Sequence, residues 1–167
     1  MAINEQEIQE IVRSVLKGMG TTAAAPAAPK APEKKLRGIF ETADEAIAAA
    51  KAAQKEIQPM PLEFREKIIA NIRKKTLENA KLLSELAVEE TGMGNVGHKI
   101  IKHQLVAEKT PGTEDLKTIA WSGDRGLTLT EMGPWGVIGA VCPSTNPTCT
   151  VICNSIGMLA AGNAVVF

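Results

Sequence analysis

The chain has 167 residues, the length of one domain or of one domain with a tail. Nineteen Lys and Arg residues balance nineteen Asp and Glu residues, and this zero net charge argues against a nucleic-acid binder that neutralises phosphates. The hydrophobic content of 44% argues against wholesale disorder, and without a run of roughly 18 apolar residues or a leader pattern we expect neither a membrane span nor a secretory signal.

Residues 4–19 are predicted to form an amphipathic helix. Asn4 and Glu7 occupy the positions of a capping box, and Gly18 and Gly20 end the pattern. The apolar residues recur at spacings of three and four and share one face: Ile8, Ile11, Val12, Val15, Leu16 and Met19. A helix of this length is marginal in water on its own, so its apolar face needs a partner.

Residues 20–37 are predicted to be a linker. Ala and Pro dominate the segment, and Pro26, Pro29 and Pro32 favour an extended, semi-stiff chain. The preceding helix is therefore tethered, and two interpretations remain open: a frayed terminus, or a peptide that docks into a groove of another protein. A membrane-surface anchor is disfavoured, because residues 4–19 lack an excess of basic side chains.

Residues 38–167 are predicted to be the globular part, which begins with three helices. A capping box at Thr42 and Glu45 opens the first helix, over about 43–57. The second begins with Pro61 at its first position and runs to about Glu90, with Gly92 as its C-cap, and the third runs over about 95–109.

The third helix carries the two histidines of the chain, His98 and His103. A spacing of five does not place two side chains on the same face of a helix, so these residues do not form a metal site by themselves. We expect solvated surface imidazoles.

From Gly126 the hydrophobic period changes from helical to alternating. Leu127, Leu129 and Met132 alternate with Thr128 and Thr130, which predicts a half-buried strand. The continuous apolar run 136–141 predicts a strand buried on both faces.

A helix over about 147–161 and a second buried strand over 164–167 follow, with Gly162 and Asn163 capping the helix. The helical residues expected to face inward are Val151, Ile152, Ile156 and Leu159. Strand, helix and strand predict a β-α-β unit of the doubly wound α/β class. Strands of this kind need more neighbours and more covering helices than this stretch contains, so we expect the first part of a larger α/β enzyme.

Two segments, 133–147 and 159–167, resemble the start of the nucleotide-binding domain of the aldehyde dehydrogenase superfamily. Within that superfamily, further motifs resemble the CoA-acylating propionaldehyde and acetaldehyde dehydrogenases of bacterial microcompartments: Pro143-Ser-Thr-Asn-Pro147, Glu90-Thr-Gly-Met-Gly94, Thr110-Pro-Gly-Thr-Glu-Asp-Leu116 and Gly126-Leu-Thr-Leu129. The N-terminal helix and its Ala/Pro linker are also similar to that branch, whose members carry an encapsulation peptide that binds shell proteins.

The resemblance implies an organisation into three segments. Residues 1–19 would be an encapsulation helix that docks on a microcompartment shell protein, 20–37 a linker, and 38–167 an incomplete nucleotide-binding domain of the aldehyde dehydrogenase fold. The implied location is the cytoplasm, in the lumen of a microcompartment, and the full-length enzyme would be a homo-oligomer.

The resemblance also implies a reaction. A Cys thiolate attacks a small aldehyde, NAD accepts the hydride, and the acyl group passes to coenzyme A; propionaldehyde and propionyl-CoA are the expected pair. The nucleophilic Cys of the family lies downstream of residue 167, so we expect these residues to be inactive alone. Cys142, Cys149 and Cys153 are then expected to be small buried hydrophobic residues, neither catalytic nor metal ligands.

The loop 142–146 is the candidate site, because it follows a parallel strand and precedes a helix N-terminus. In the superfamily the corresponding loop lies beside the cofactor, which assigns Cys142, Pro143, Ser144 and Thr145 to cofactor binding. It also supplies an amide that donates to the oxyanion. The usual Asn position is Thr145 here and Asn follows at Asn146, so either of these two residues is the predicted donor.

Two alternatives differ from this interpretation in class. The chain could be a non-catalytic adaptor or cargo-docking protein whose function is the helix 4–19. It could also belong to an ordinary aldehyde dehydrogenase without a CoA step, which Asn at position 145 would support and Thr145 with Asn146 does not.

Overall fold

The computed structural model describes Glu10 and residues 38–167. The chain divides into two units, Met1–Arg37 and Gly38–Phe167, and the second contains every described residue except Glu10. The helix predicted over residues 4–19, its six apolar docking residues and the linker 20–37 lie outside the described residues.

The second unit is an α/β fold in which three helices precede the first strand and a fourth lies between the last two strands. Its elements, in chain order, are α1 Ala43–Ile57, α2 Leu62–Thr91, α3 Val96–Lys109, a 3-10 turn Thr113–Asp115, β1 Ile119–Gly123, β2 Gly126–Thr130, β3 Val137–Gly139, α4 Pro147–Ala160 and β4 Ala164–Val166. The four helices predicted for this unit are confirmed. No helix in the described part of the chain is both long and apolar enough to cross a membrane.

The predicted helix ends are largely confirmed. The Thr42 hydroxyl accepts from the backbone N–H of Glu45 at 3.3 Å, and Gly92 ends α2 in the left-handed conformation at φ 64°. Pro61 lies one position outside the predicted place: it is the N-cap of α2 rather than its first residue, because its ψ of 157° is extended.

The hydrophobic core lies where α2 packs against α4. Ile69, Ile156 and Ala160 are buried there, and Ile72, Leu116 and Ile152 pack around them. Ile156 is fully buried, as predicted, and Ile152 and Leu159 are half-buried. The prediction for Val151 is wrong: this residue is 37% exposed and is not part of this core.

The C-terminus of α4 forms a Schellman motif. The N–H of Gly162 donates to the Leu159 carbonyl at 3.0 Å, and the N–H of Asn163 donates to the Met158 carbonyl at 2.8 Å. Gly162 has φ +80°, a conformation that a residue with a Cβ adopts only under strain. The predicted cap is confirmed, and it turns the chain into β4.

Side chains of the first two helices hold the same end of α4. Gln54 Nε2 donates to the Gly162 carbonyl at 3.2 Å, and Arg65 Nη1 donates to the Ala160 carbonyl at 2.7 Å. These bonds satisfy carbonyls that the end of a helix would otherwise leave without an intrahelical partner.

β3 and β4 are parallel neighbours joined by α4, so the predicted β-α-β unit is confirmed. Asn163 is buried, and its Oδ1 accepts from the backbone N–H groups of Trp135 and Gly136 at 2.6 and 2.9 Å, which fixes where the two strands start. The burial predicted on both faces of β3 is wrong: Val137 and Ile138 are half-buried and Val141 is 94% exposed. In residues 38–167, β3 has one neighbouring strand, and one neighbour leaves its other edge uncovered.

β1 and β2 form an antiparallel hairpin in which Ile119 faces Thr130 and Gly123 faces Gly126. The sequence analysis identified β2 but missed β1. The predicted half-burial of β2 is also wrong, since all of its residues are exposed. A two-stranded ribbon buries a face only where a further element packs on it.

We expect the replacement Ile156→Ala to lower the free energy of unfolding by about 2–5 kcal/mol, because it leaves a cavity in the core between α2 and α4. Val151→Ala is the matched control, since Val151 lies on the same helix and is partly exposed. Urea denaturation of the full chain measures both variants. Equal losses for the two would contradict this placement of the core.

Candidate functional site

The loop 142–146 connects β3 with the N-terminus of α4, at the carboxyl end of a parallel strand. Cys142 is half-buried, and Pro143, Ser144 and Thr145 are exposed. The four residues predicted to bind a cofactor therefore share one accessible loop in front of a helix N-terminus. This is where open α/β sheets bind their ligands.

Asn146 occupies the N-cap position of α4, but its side chain does not cap the helix. An Asn in this position usually accepts from a backbone N–H of the first turn. Here the first turn lacks this side-chain cap. Pro147 starts the helix, and the Thr150 hydroxyl donates to the backbone carbonyl of Asn146 at 2.7 Å. The carboxamide of Asn146 is consequently not engaged in holding its own helix.

Thr145 precedes Asn146 and is exposed. Its backbone carbonyl accepts from Nζ of Lys99 in α3 at 3.2 Å. Lys99 itself is only 6% exposed, and none of the ion pairs among residues 38–167 involves it. A buried ammonium group therefore holds the backbone of the candidate site.

His103 is fully buried, and the predicted solvated imidazole is wrong for this residue, although His98 is exposed as predicted. Nδ1 of His103 lies 2.8 Å from the Lys99 carbonyl and 3.0 Å from Ser84 Oγ in α2. Nε2 lies 2.9 Å from Oγ1 of Thr148, in the first turn of α4. The ring thus connects three helices.

The hydrogen bonds of His103 determine which ring nitrogen carries the proton in the neutral ring. A carbonyl only accepts, so Nδ1–H donates to the Lys99 carbonyl. The Ser84 hydroxyl donates to the Ala80 carbonyl at 2.7 Å, so its oxygen accepts from the same Nδ1–H. Nε2 is then an acceptor, and the Thr148 hydroxyl donates to it.

The three cysteines lie in different environments. Cys149 is buried, as predicted, and desolvation raises the pKa of its thiol, which makes it a poor nucleophile. Cys153 is exposed, so the prediction of burial is wrong there. The described residues contain no group of three or more His, Cys, Asp or Glu side chains that could hold a metal ion.

The sequence analysis missed Lys99 and His103 as parts of the site. A signal was present in the sequence: Lys99, His103 and Ala107 follow each other at intervals of four, and all three are the buried residues of α3. Such a stripe predicts the inner face of a helix. Because Lys99 and His103 are polar, a pattern search based on apolar residues does not detect this face.

Residues 26–167 match the model of the aldehyde dehydrogenase family, and the chain belongs to that family. It is 51% identical over all of its length to an acetaldehyde dehydrogenase (acetylating) of Bilophila wadsworthia, of which it covers 35%. The chain spans about a third of the length of the curated relatives that it matches.

Two solved structures resemble it closely. A propionaldehyde dehydrogenase from the fucose utilisation microcompartment of Clostridium phytofermentans is 68% identical, with a TM-score of 0.75 over 78% of this chain and 30% of its own. The propionaldehyde dehydrogenase of Rhodopseudomonas palustris, solved with bound CoA and an acylated cysteine, is 55% identical, with the same TM-score and coverage. The resemblance to the CoA-acylating branch expected from the sequence motifs is confirmed.

Cys149 and Cys153 should differ strongly in their reaction with iodoacetamide. Because the thiolate is the reactive form, the raised pKa and the burial of Cys149 should keep its alkylation slow at neutral pH and shift it to more alkaline pH. Mass spectrometry of digested samples gives both rates, with the exposed Cys153 as the internal control. In urea the two rates should converge; equal rates in the native chain would contradict the burial of Cys149.

Proposed function

We propose that this chain is the N-terminal part of an NAD-dependent CoA-acylating aldehyde dehydrogenase, which converts a small aldehyde to its acyl-CoA. Propionaldehyde is the proposed main substrate. The proposal rests on one observation above all. Asn146 lies in an accessible loop at the carboxyl end of β3, and its carboxamide makes no capping hydrogen bond to α4. The identity to acetylating and propionaldehyde dehydrogenases supports the same reaction.

The position of the loop 142–146, between a parallel strand and a helix N-terminus, is suited to binding a dinucleotide cofactor. It is accessible, and the first turn of α4 behind it presents the partial positive charge of a helix N-terminus, which favours a phosphate group. Cys142, Pro143, Ser144 and Thr145 would line the nicotinamide side. When bound there, NAD supplies the hydride acceptor for aldehyde oxidation.

The proposed role of Asn146 is to donate an amide N–H to the aldehyde oxygen as that oxygen gains negative charge. A neutral amide held in place before the reaction stabilises such an oxyanion without reorganisation. The resemblance to the family implies that the attacking thiolate comes from a cysteine outside these 167 residues. Within them, the buried Cys149, whose thiol pKa is raised by desolvation, is a poor nucleophile. Thr145 is the alternative donor through its hydroxyl.

A hybrid enzyme tests the reaction and the donor together. In it, this chain replaces the corresponding segment of the Clostridium phytofermentans propionaldehyde dehydrogenase, and NADH formation is followed with propionaldehyde and CoA. We expect an active hybrid, in which Asn146→Ala lowers kcat on the order of 100-fold to 1,000-fold, as the loss of an oxyanion donor does. Thr145→Val, which removes the hydroxyl of the alternative donor, should lower kcat much less than Asn146→Ala.

Other outcomes of the hybrid experiment would reassign the donor or contradict the proposed function. An active hybrid in which Thr145→Val is the damaging change would transfer the donor role to Thr145. A well-folded hybrid without CoA-dependent activity would contradict the proposed function and favour the adaptor. The 167-residue chain alone should form no NADH.

We propose further that residues 4–19 form an amphipathic helix that docks on a microcompartment shell protein and brings the enzyme, as a homo-oligomer, into the lumen. The apolar stripe from Ile8 to Met19 and the Ala/Pro linker behind it support this role. The similarity to a propionaldehyde dehydrogenase from a microcompartment supports the same location.

The replacement Ile11→Glu should abolish binding of the full chain to a purified shell protein, because it places a charge in the apolar stripe. Arg13→Glu, on the polar side of the predicted helix, is the matched control and should bind as before. Co-sedimentation with assembled shell protein measures both. Unchanged binding of Ile11→Glu would contradict the docking role.

A further inference from the structure

Two side chains of α3, one turn apart, contact the chain on either side of Asn146, one at a backbone carbonyl and the other at a side-chain hydroxyl. Lys99 Nζ donates to the carbonyl of Thr145, the residue before it. Nε2 of His103 accepts from the hydroxyl of Thr148, two residues after it. Both side chains are buried, at 6% and 0% exposure, so their positions are set by packing.

We propose that Lys99 and His103 are positioning residues, which orient the loop 142–146 so that an amide donor on it meets the substrate oxygen. The inference rests on the proposed function, since an oxyanion donor on this loop is what they would position. Neither side chain is assigned contact with substrate or cofactor.

The surroundings of His103 make it a rigid support. Its Nδ1–H is shared by the Lys99 carbonyl and the Ser84 oxygen, which leaves Nε2 free only to accept. In the neutral ring the Thr148 hydroxyl then donates to Nε2, which ties the first turn of α4 to α3. This contact supplies a link that the Asn146 side chain does not make, because that side chain does not cap the helix.

The burial of Lys99 is hard to explain by stability alone. Burying an ammonium group without a carboxylate partner is unfavourable, and a backbone carbonyl offsets that cost only in part. Ion pairs among the described residues do not include Lys99.

The chain offers a matched control for each residue. Lys99→Met keeps the stem and removes the ammonium group, and Lys102→Met makes the same change at an exposed position of α3. His103→Gln removes the ring, and His98→Gln makes the same change at an exposed position of the same helix. Thr148→Val removes only the hydroxyl that His103 accepts from.

In the hybrid enzyme, we expect Lys99→Met and Thr148→Val to lower kcat on the order of tenfold to 100-fold, with little change in the KM for the aldehyde, because a small misplacement of a donor is felt in the transition state. The Tm of Lys99→Met should be equal to or above that of the parent. Lys102→Met and His98→Gln should match the parent. A loss of Tm that accompanies an unchanged kcat would show a purely structural role and overturn the proposal.

Nuclear magnetic resonance of the full 167-residue chain, labelled with ¹⁵N at its two histidines, tests the geometry without any enzyme activity. We expect His103 to carry its proton on Nδ1, and Thr148→Val to shift the Nε2 resonance of His103 but not the resonances of His98. A proton on Nε2, or no response to Thr148→Val, would overturn the proposal even if His103→Gln does not fold.

The two failures can be told apart. A parent hybrid that is well folded but has no CoA-dependent activity contradicts the proposed function, whatever the variants do. An active parent hybrid in which Lys99→Met and Thr148→Val retain full kcat overturns only the positioning roles.

Discussion

The buried imidazole of His103 is the contact on which the candidate site depends. It joins α2 through Ser84, its own helix through the Lys99 carbonyl, and α4 through Thr148. Buried polar groups must find partners or impose a large penalty, so this ring accepts only one arrangement of the three helices. Apolar packing between α2 and α4 brings the helices together, and His103 determines their register.

α4 is held by polar contacts at both of its ends. At its start, α3 supplies the contacts through Lys99 and His103. At its end, Arg65 binds the carbonyl of Ala160 and Gln54 that of Gly162, and the buried Asn163 begins the return to the sheet. Between these ends lies Ile156 in the apolar core. A helix fixed in this way presents the preceding loop in a defined orientation, which a site requires of its scaffold.

Local signals made much of the fold predictable. Capping at Thr42, the left-handed Gly92 and Gly162, and apolar periodicity depend on residues close in sequence, so they indicated the four helices of residues 38–167 and the β-α-β unit. Burial depends on distant neighbours, and there the predictions failed: Val141 and the residues of β2 are exposed. β1 escaped prediction because its apolar alternation is weak.

For the candidate site, the sequence by itself determined the chemistry available: a Pro-bounded loop with Thr145 and Asn146 between a strand and a helix, and motifs of the aldehyde dehydrogenase family that the family match confirms. Only the tertiary structure decided which side chains support that loop. Lys99 is 46 residues from its partner Thr145 in the loop, and His103 is 45 residues from its partner Thr148 in α4. Contacts between such distant residues form only when α3 packs beside α4. Tertiary packing, and not the local propensity of either segment, determines which side chains become neighbours.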